Sequence, residues 1–187
     1  MQAVDAGREL LAQDLILQPI LPSHAAALFA DLQAPELYTF IPHSAPESRE
    51  ALEQRYARWA KRQSADGSEI WLNYAIYRPT HSDYVGTVQA TLHCSGETYI
   101  AYEVFPRHWR QGYARDACTA LLAHIFASYP VNTVSALLDT RNEASWKLLE
   151  SLGFHRTGVI ENADEFKGAV SDEYIYEIGR HESAANF

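Results

Sequence analysis

The spacing of apolar and polar positions changes period several times along the chain. Leu15-Ile16-Leu17-Gln18-Pro19-Ile20 is a short apolar run that predicts a strand, and Pro19, which cannot donate to a ladder, places it near an edge or a bulge. Residues 1–13 predict a loose leader with some helical tendency. Behind Ser23, a suitable N-cap, Ala26, Leu28, Phe29 and Leu32 recur at helical spacing until Ala34-Pro35 stops them. Ser48 to Arg62 predicts a second helix, with Leu52, Tyr56 and Trp59 about one turn apart. The texture then shifts. Ile70–Tyr77, Tyr84–His93 and Tyr99–Phe105 are β-rich runs separated by short turn-like segments, which predicts an antiparallel meander. After Pro106 the period is helical again, with Ala114, Ala117, Leu121, Leu122, Ile125 and Phe126 on one face. Val131–Leu138 predicts a strand and Glu143–Leu152 a helix that Gly153 ends. Phe154–Ile160 and Tyr174–Ile178 complete the pattern as strands around a polar loop, Glu161–Asp172. This order specifies a mixed α/β (α+β) domain around one sheet.

Composition narrows the function classes. The chain has 187 residues, 47% of them hydrophobic, enough for one domain with a real core. Its formal net charge of -9 argues against a global grip on nucleic acid or an anionic membrane. The two cysteines, Cys94 and Cys118, form no CxxC pair, so neither a disulfide scaffold nor a cysteine zinc site is expected. The eight histidines show no HxxxH or HxH spacing, and no metal site is expected. The N-terminus lacks a basic n-region before an unbroken apolar run, and no stretch reaches the ~18 apolar residues of a membrane span. Together these features predict a soluble cytoplasmic protein. A nicotinamide or flavin enzyme is disfavoured because no GxGxxG follows a first strand.

Two segments carry candidate chemistry. Arg107-His108-Trp109-Arg110-Gln111-Gly112-Tyr113-Ala114-Arg115 links the third meander strand to the long helix. Three arginines stand around one glycine where the helix begins. Free amides, the positive end of the helix dipole and a close backbone approach there form an anion site, with a pyrophosphate as the natural guest. In the second segment, Asn142 caps a short helix that ends at Gly153-Phe154. Capping and core packing leave Ser145 unexplained, because it shares a face with Leu149 and Leu152. Tyr38, Phe40 and Trp59 are aromatic candidates either for an acceptor cleft or for plain core packing.

Trp109-Arg110-Gln111-Gly112-Tyr113-Ala114 resembles the acyl-CoA pyrophosphate loop of the GNAT N-acetyltransferases, and Asn142 with Ser145 and Gly153-Phe154 resembles that family's Asn-x-x-Ser helix. The form of both motifs is similar to the ribosomal-protein N-terminal acetyltransferase (RimJ/RimL) branch. The resemblance implies a single GNAT domain over residues 14–180, with a leader at 1–13 and a tail at 181–187. It implies a twisted, mostly antiparallel sheet of about seven strands flanked by about four helices, and acetyl-CoA as co-substrate. The pyrophosphate would lie on Gln111, Gly112, Tyr113 and Ala114 beside Arg110, with Arg115 close by. Backbone of the fourth family strand, about Glu103, Val104 and Phe105, would pair with the pantetheine arm and polarise the thioester. Asn142 would bond the pantetheine, and Ser145 would meet the departing thiolate. Leu149 stands where many members carry a tyrosine. Glu165, its neighbour Asp164, and Glu103 are the candidate general bases. The acceptor would be a protein N-terminus or a small amine, a homodimer is compatible with the family, and neither nucleic acid nor membrane is an expected partner. The competing expectation is a non-catalytic acyl-CoA-binding module on the same fold.

Overall fold

The β-rich middle of the chain builds the centre of the sheet. In the computed structural model, which describes residues 6–183, β3 (Glu69–Arg78), β4 (Asp83–His93) and β5 (Thr98–Val104) form the expected meander. β1 (Leu10–Ala12) and β2 (Leu15–Pro19) extend it on one side, and β6 (Thr133–Asp139), β8 (Ala169–Gly179) and β7 (His155–Phe166) on the other. The sheet order is β1-β2-β3-β4-β5-β6-β8-β7, antiparallel throughout except between β5 and β6. The helices are α1 (His24–Leu28), α2 (Arg49–Trp59), α3 (Tyr113–Ser128), α4 (Glu143–Ser151) and α5 (Arg180–Ser183). The described residues form an α/β fold with eight strands and five α-helices, one more of each than the sequence indicated.

Each additional element has a local cause. Leu10–Ala12, expected in a loose leader, pairs with β2 through Leu10↔Leu17 and Ala12↔Leu15, burying Leu10 and Ala12 while Leu11 faces out. Residues 1–5 lie outside the described residues. Residues 161–172, expected as a polar loop, are mostly ladder: Asp164 pairs with Ser171 and Phe166 with Ala169. Lys167 and Gly168 connect them with φ of 53° and 75°, the two positive values of a type I′ hairpin turn. Polar residues on both sides of these strands gave no alternating signal. The tail expected from residue 181 is partly helical, because α5 continues from β8. Ser23 precedes α1 without a side-chain cap, whereas Ser48 caps α2 by accepting from the Ala51 amide at 3.1 Å.

Two apolar clusters fill opposite sides of the sheet. The larger gathers Leu17, Leu72, Tyr74, Val88 and Ile100 of the strands with Cys118, Leu121, Leu122 and Ile125 of α3 and Leu149 of α4. The smaller packs Ile20, Leu28, Leu52, Tyr56, Ala75 and Phe105, between the sheet and α1–α2. β3 contributes to both, Leu72 and Tyr74 to the larger and Ala75 to the smaller, because successive side chains of a strand point to opposite faces.

Candidate active site

The ladder between β5 and β6 consists of a single register pair, Tyr99↔Ser135. Beyond it the strands splay and leave a cleft of about 130 Å³. Ile100 and Tyr102 of β5, Ala136 and Leu138 of β6, Ser145 of α4 and its cap Asn142 line it, together with Phe40, Ile41 and Leu149. On the other edge of β5 pairing is continuous, from Leu92↔Thr98 to Gly86↔Val104. There the backbones approach so closely that a Cβ on Gly86 would stand 2.0 Å from the Glu103 carbonyl oxygen.

Backbone alternation decides which amides of β5 face the gap. The Phe105 N–H donates to the Val85 carbonyl at 2.9 Å, inside the sheet. Phe105, expected among the cofactor-binding residues through its backbone, therefore has its amide committed to β4. By alternation the amides of Tyr102 and Val104 point toward the splay. The Val104 carbonyl, on that same edge, accepts from the Trp109 indole at 2.6 Å. That bond fixes the start of the turn leading to α3.

The turn has the shape of an anion cradle. Arg110 and Gly112 take left-handed φ of 63° and 86°, and Gly112 has open space above its Cα. The first intrahelical bond of α3 runs from the Asp116 amide to the Gly112 carbonyl at 3.1 Å. The amides of Tyr113, Ala114 and Arg115 are thus the free donors of the helix start. Gln111 sits at the lip, its side-chain amide donating to the Arg107 carbonyl at 3.4 Å. Arg110 and Arg115 are exposed. Arg107, the third arginine of the cluster, is engaged elsewhere. It makes a bidentate pair with Asp31, both bonds at 2.8 Å, and a 3.4 Å contact to Asp83. Asp83 also takes a bidentate pair from Arg78, whose remaining donor reaches the Tyr113 hydroxyl at 2.8 Å. The Arg78 hydrogen bonds hold the Asp83 carboxyl below its ordinary range. These ion pairs brace the base of the loop and leave its lip to Arg110 and Arg115.

α4 is set by its cap. The Asn142 side chain accepts from the Ser145 amide at 3.2 Å. The preceding turn is anchored by Asp139, buried, which accepts from the Arg141 guanidinium at 2.8 Å and from the Ser171 hydroxyl at 2.7 Å. The Arg141 bond is the main reason the Asp139 carboxyl titrates low, at about 2. The Ser145 hydroxyl lies 2.7 Å from the hydroxyl of Tyr102, which also lies 3.1 Å from the Ser145 carbonyl. Tyr102 is a site residue that sequence reasoning missed; its alternation with Glu103 on a half-covered strand was the available signal.

Glu103 projects from the opposite face of β5, toward α2 and the segment before it. Burial pushes its carboxyl up to about 7, partly offset by the Arg55 charge. Its charge in turn helps burial push the Tyr38 phenol up to about 12. Of the aromatic candidates, Tyr38 is buried with its hydroxyl donating to the Leu32 carbonyl at 2.7 Å. Trp59 packs on Tyr56 at 5.5 Å, and Phe40 lines the cleft. The β7–β8 hairpin reaches the same side, with Lys167 Nζ donating to the Tyr38 carbonyl and the Phe166 ring 6.0 Å from the Arg141 guanidinium. Glu165 stands exposed on this hairpin, while Asp164 is half-buried and close enough to Glu173 to help raise its carboxyl, after burial. The fold thus brings Asn142, Ser145 and the gap-facing edge of β5 to one cleft. Glu103 lies on the sheet's other face and Glu165 at the rim of that face.

The profile of the Acetyltransferase (GNAT) domain matches residues 14–155. The chain belongs to the GNAT acetyltransferase family. An uncharacterized N-acetyltransferase of Bacillus subtilis, YoaA, is 26% identical over 166 residues, covering 88% of this chain and 92% of the relative. The ribosomal-protein-S5-alanine acetyltransferase of Vibrio fischeri superimposes with a TM-score of 0.79 at 17% identity, over 92% of this chain and 96% of that one. Spermidine N-acetyltransferase of Vibrio cholerae, solved with CoA and spermine, gives a TM-score of 0.78 at 16% identity, over 91% and 98%. This GNAT protein is accordingly an N-acetyltransferase enzyme, and its reaction is acetyl transfer. No helix among its described residues is long and apolar enough to cross a membrane.

Proposed function

We propose that this acetyltransferase passes acetyl directly from acetyl-CoA to a primary amine in a ternary complex, and that a protein α-amine or a small amine is the acceptor. The observation that carries this reading is Glu103, a half-buried carboxyl titrating near 7 on the strand that borders the splayed cleft. A neutral amine must attack the thioester. At pH 7 roughly one α-amine in ten is neutral, against about one lysine in a few thousand. A base of pKa about 7 suits the α-amine and operates at physiological pH.

The residues then divide the work. Amides at the start of α3, with Arg110 and Arg115 beside them, hold the pyrophosphate, and Asn142 fixes the pantetheine arm along the open edge of β5. The gap-facing Val104 amide polarises the thioester carbonyl and stabilises the oxyanion, an effect of several kcal/mol, about 3 or 4 for one donor. Glu103 removes the amine proton. Ser145 protonates the departing thiolate, directly or through water. The Trp109 form of the loop favours the RimJ/RimL-like branch. The fold neighbours that act on a ribosomal-protein alanine and on spermidine define the two acceptor classes to compare.

The test is free-thiol release from acetyl-CoA with a panel of peptides bearing a free α-amine, the same peptides with a blocked N-terminus and one lysine, and polyamines. Turnover on α-amine peptides or on small amines is expected, with kcat rising through pH 7. Thiol release only with the blocked, lysine-bearing peptides, or none at all despite acetyl-CoA binding, would overturn the reading.

A further inference from the structure

Ser145 occupies a helix position where a leucine would pack, and Tyr102 supplies its polar partner. The two hydroxyls are 2.7 Å apart, both line the cleft, and the phenol lies within reach of the Ser145 carbonyl as well. We propose that Tyr102 is a positioning residue for the leaving-group step: its hydroxyl bonds to Ser145 Oγ and aims the serine proton into the cleft. This inference rests on the role given to Ser145 above.

Two proton arrangements are open to the pair. In one, the phenol donates to the Ser145 carbonyl and the serine proton is spent on the phenol oxygen. In the other, the phenol donates to Oγ, and the serine proton is free for a third partner. A thiolate forming in the cleft selects the second, since an anion rewards a donated hydrogen bond most. Burial holds the Tyr102 phenol above its ordinary range, so it keeps its own proton throughout. The balance is then complete without a tyrosinate. The new C–N bond forms as the C–S bond breaks, and the amine proton passes to Glu103 and on to solvent. The thiolate takes its proton from Ser145 as a water molecule delivers one to Oγ in the same motion, so no free alkoxide forms beside the phenol; the hydroxide left behind is neutralised by the proton that Glu103 releases, and the phenol bond keeps Oγ in place. A tyrosine hydroxyl thereby reaches the leaving-group side from β5, although α4 carries Leu149 where many family members have their tyrosine.

Tyr102→Phe removes only the hydroxyl, and its kinetics, with those of Ser145→Ala and the double variant, test the proposal. Tyr102→Phe should lower kcat about tenfold with KM for acetyl-CoA within about twofold, and adding it to Ser145→Ala should cost nothing more. Independent, multiplicative losses would overturn the proposal, as would a raised KM with kcat intact. A wild-type kcat for Tyr102→Phe beside an impaired Ser145→Ala removes the positioning role alone. A wild-type kcat for Ser145→Ala removes the serine's role and this one with it. Should Tyr102→Phe fold poorly, 3-fluorotyrosine at position 102 keeps ring and hydroxyl but is more acidic; it should retain wild-type kcat, and a severalfold rise there would overturn the proposal by showing that the phenol itself gives up its proton.

Discussion

Tyr102 and Glu103 are neighbours in sequence and face different worlds. Tyr102 looks toward α3 and α4, where its hydroxyl is held by Ser145. Glu103 looks toward α2, where burial rather than a hydrogen bond sets its chemistry. The first face is built for placement and the second for proton affinity. One strand serves both because side chains alternate across it, and in the proposed reaction a thioester lying in the gap beside β6 would meet groups from either side.

The largest expected effect falls on the proton-affinity face. Glu103→Gln should lower kcat/KM about a hundredfold, close to 2.7 kcal/mol, and abolish the rise of rate through pH 7. The same substitution should improve stability. With a folded pKa of about 7 against 4.5 unfolded, the native state binds more protons in that window, so wild-type stability falls as pH rises through it. Thermal melts of the two proteins should therefore converge at pH 4 and separate at pH 8, the variant melting higher.

Gly86→Ala probes the strand that both faces share. Its Cβ would collide with the Glu103 carbonyl and stand 2.9 Å from Val104 Cα, backbone atoms that cannot swing aside. A loss of about 2 kcal/mol, roughly 4–8 °C in melting temperature, is expected, together with weaker turnover. Asn142→Ala should cost about 1 kcal/mol through the lost cap on α4 and raise KM for acetyl-CoA, leaving the pH profile unchanged. The smallest effect is expected at the rim. Glu165→Gln should change kcat/KM by about twofold or less, since Glu165 is exposed on the hairpin and not on the strand that borders the cleft. A larger loss at Glu165 than at Glu103 would move the base to the hairpin and reverse the comparison.

The legible parts of the sequence were those where one period or one local chemistry dominated. The β3–β4–β5 meander, the long α3 and the capped α4 each follow from spacing and end signals, and Gly112 marked where α3 begins. The hairpin end, residues 161–172, escaped because most of its positions are exposed, so nothing alternates there, and a Lys-Gly turn lacks the usual asparagine or aspartate. Arg107 counted among the three arginines around the glycine turn because its partners, Asp31 and Asp83, lie 76 and 24 residues earlier. Phe105 looked like a backbone ligand because sequence alone cannot say which edge of a strand an amide faces. Tyr102 was hidden for the same kind of reason: its partner Ser145 is 43 residues away.

The single Tyr99↔Ser135 pair gives this sheet an edge in its interior. Exposed edges elsewhere invite pairing with foreign strands, and proteins blunt them with charge, proline or bulges. Here Phe40 and Ile41 line the cleft beside the edge, and beyond the single pair the β5 and β6 backbones are not paired with each other. Whatever lies along it completes the ladder and binds only the folded chain, adding about 2.7 kcal/mol of stability at a hundred times its dissociation constant. The protein is in this sense one strand short by design, and its co-substrate is the natural candidate for the strand that closes it.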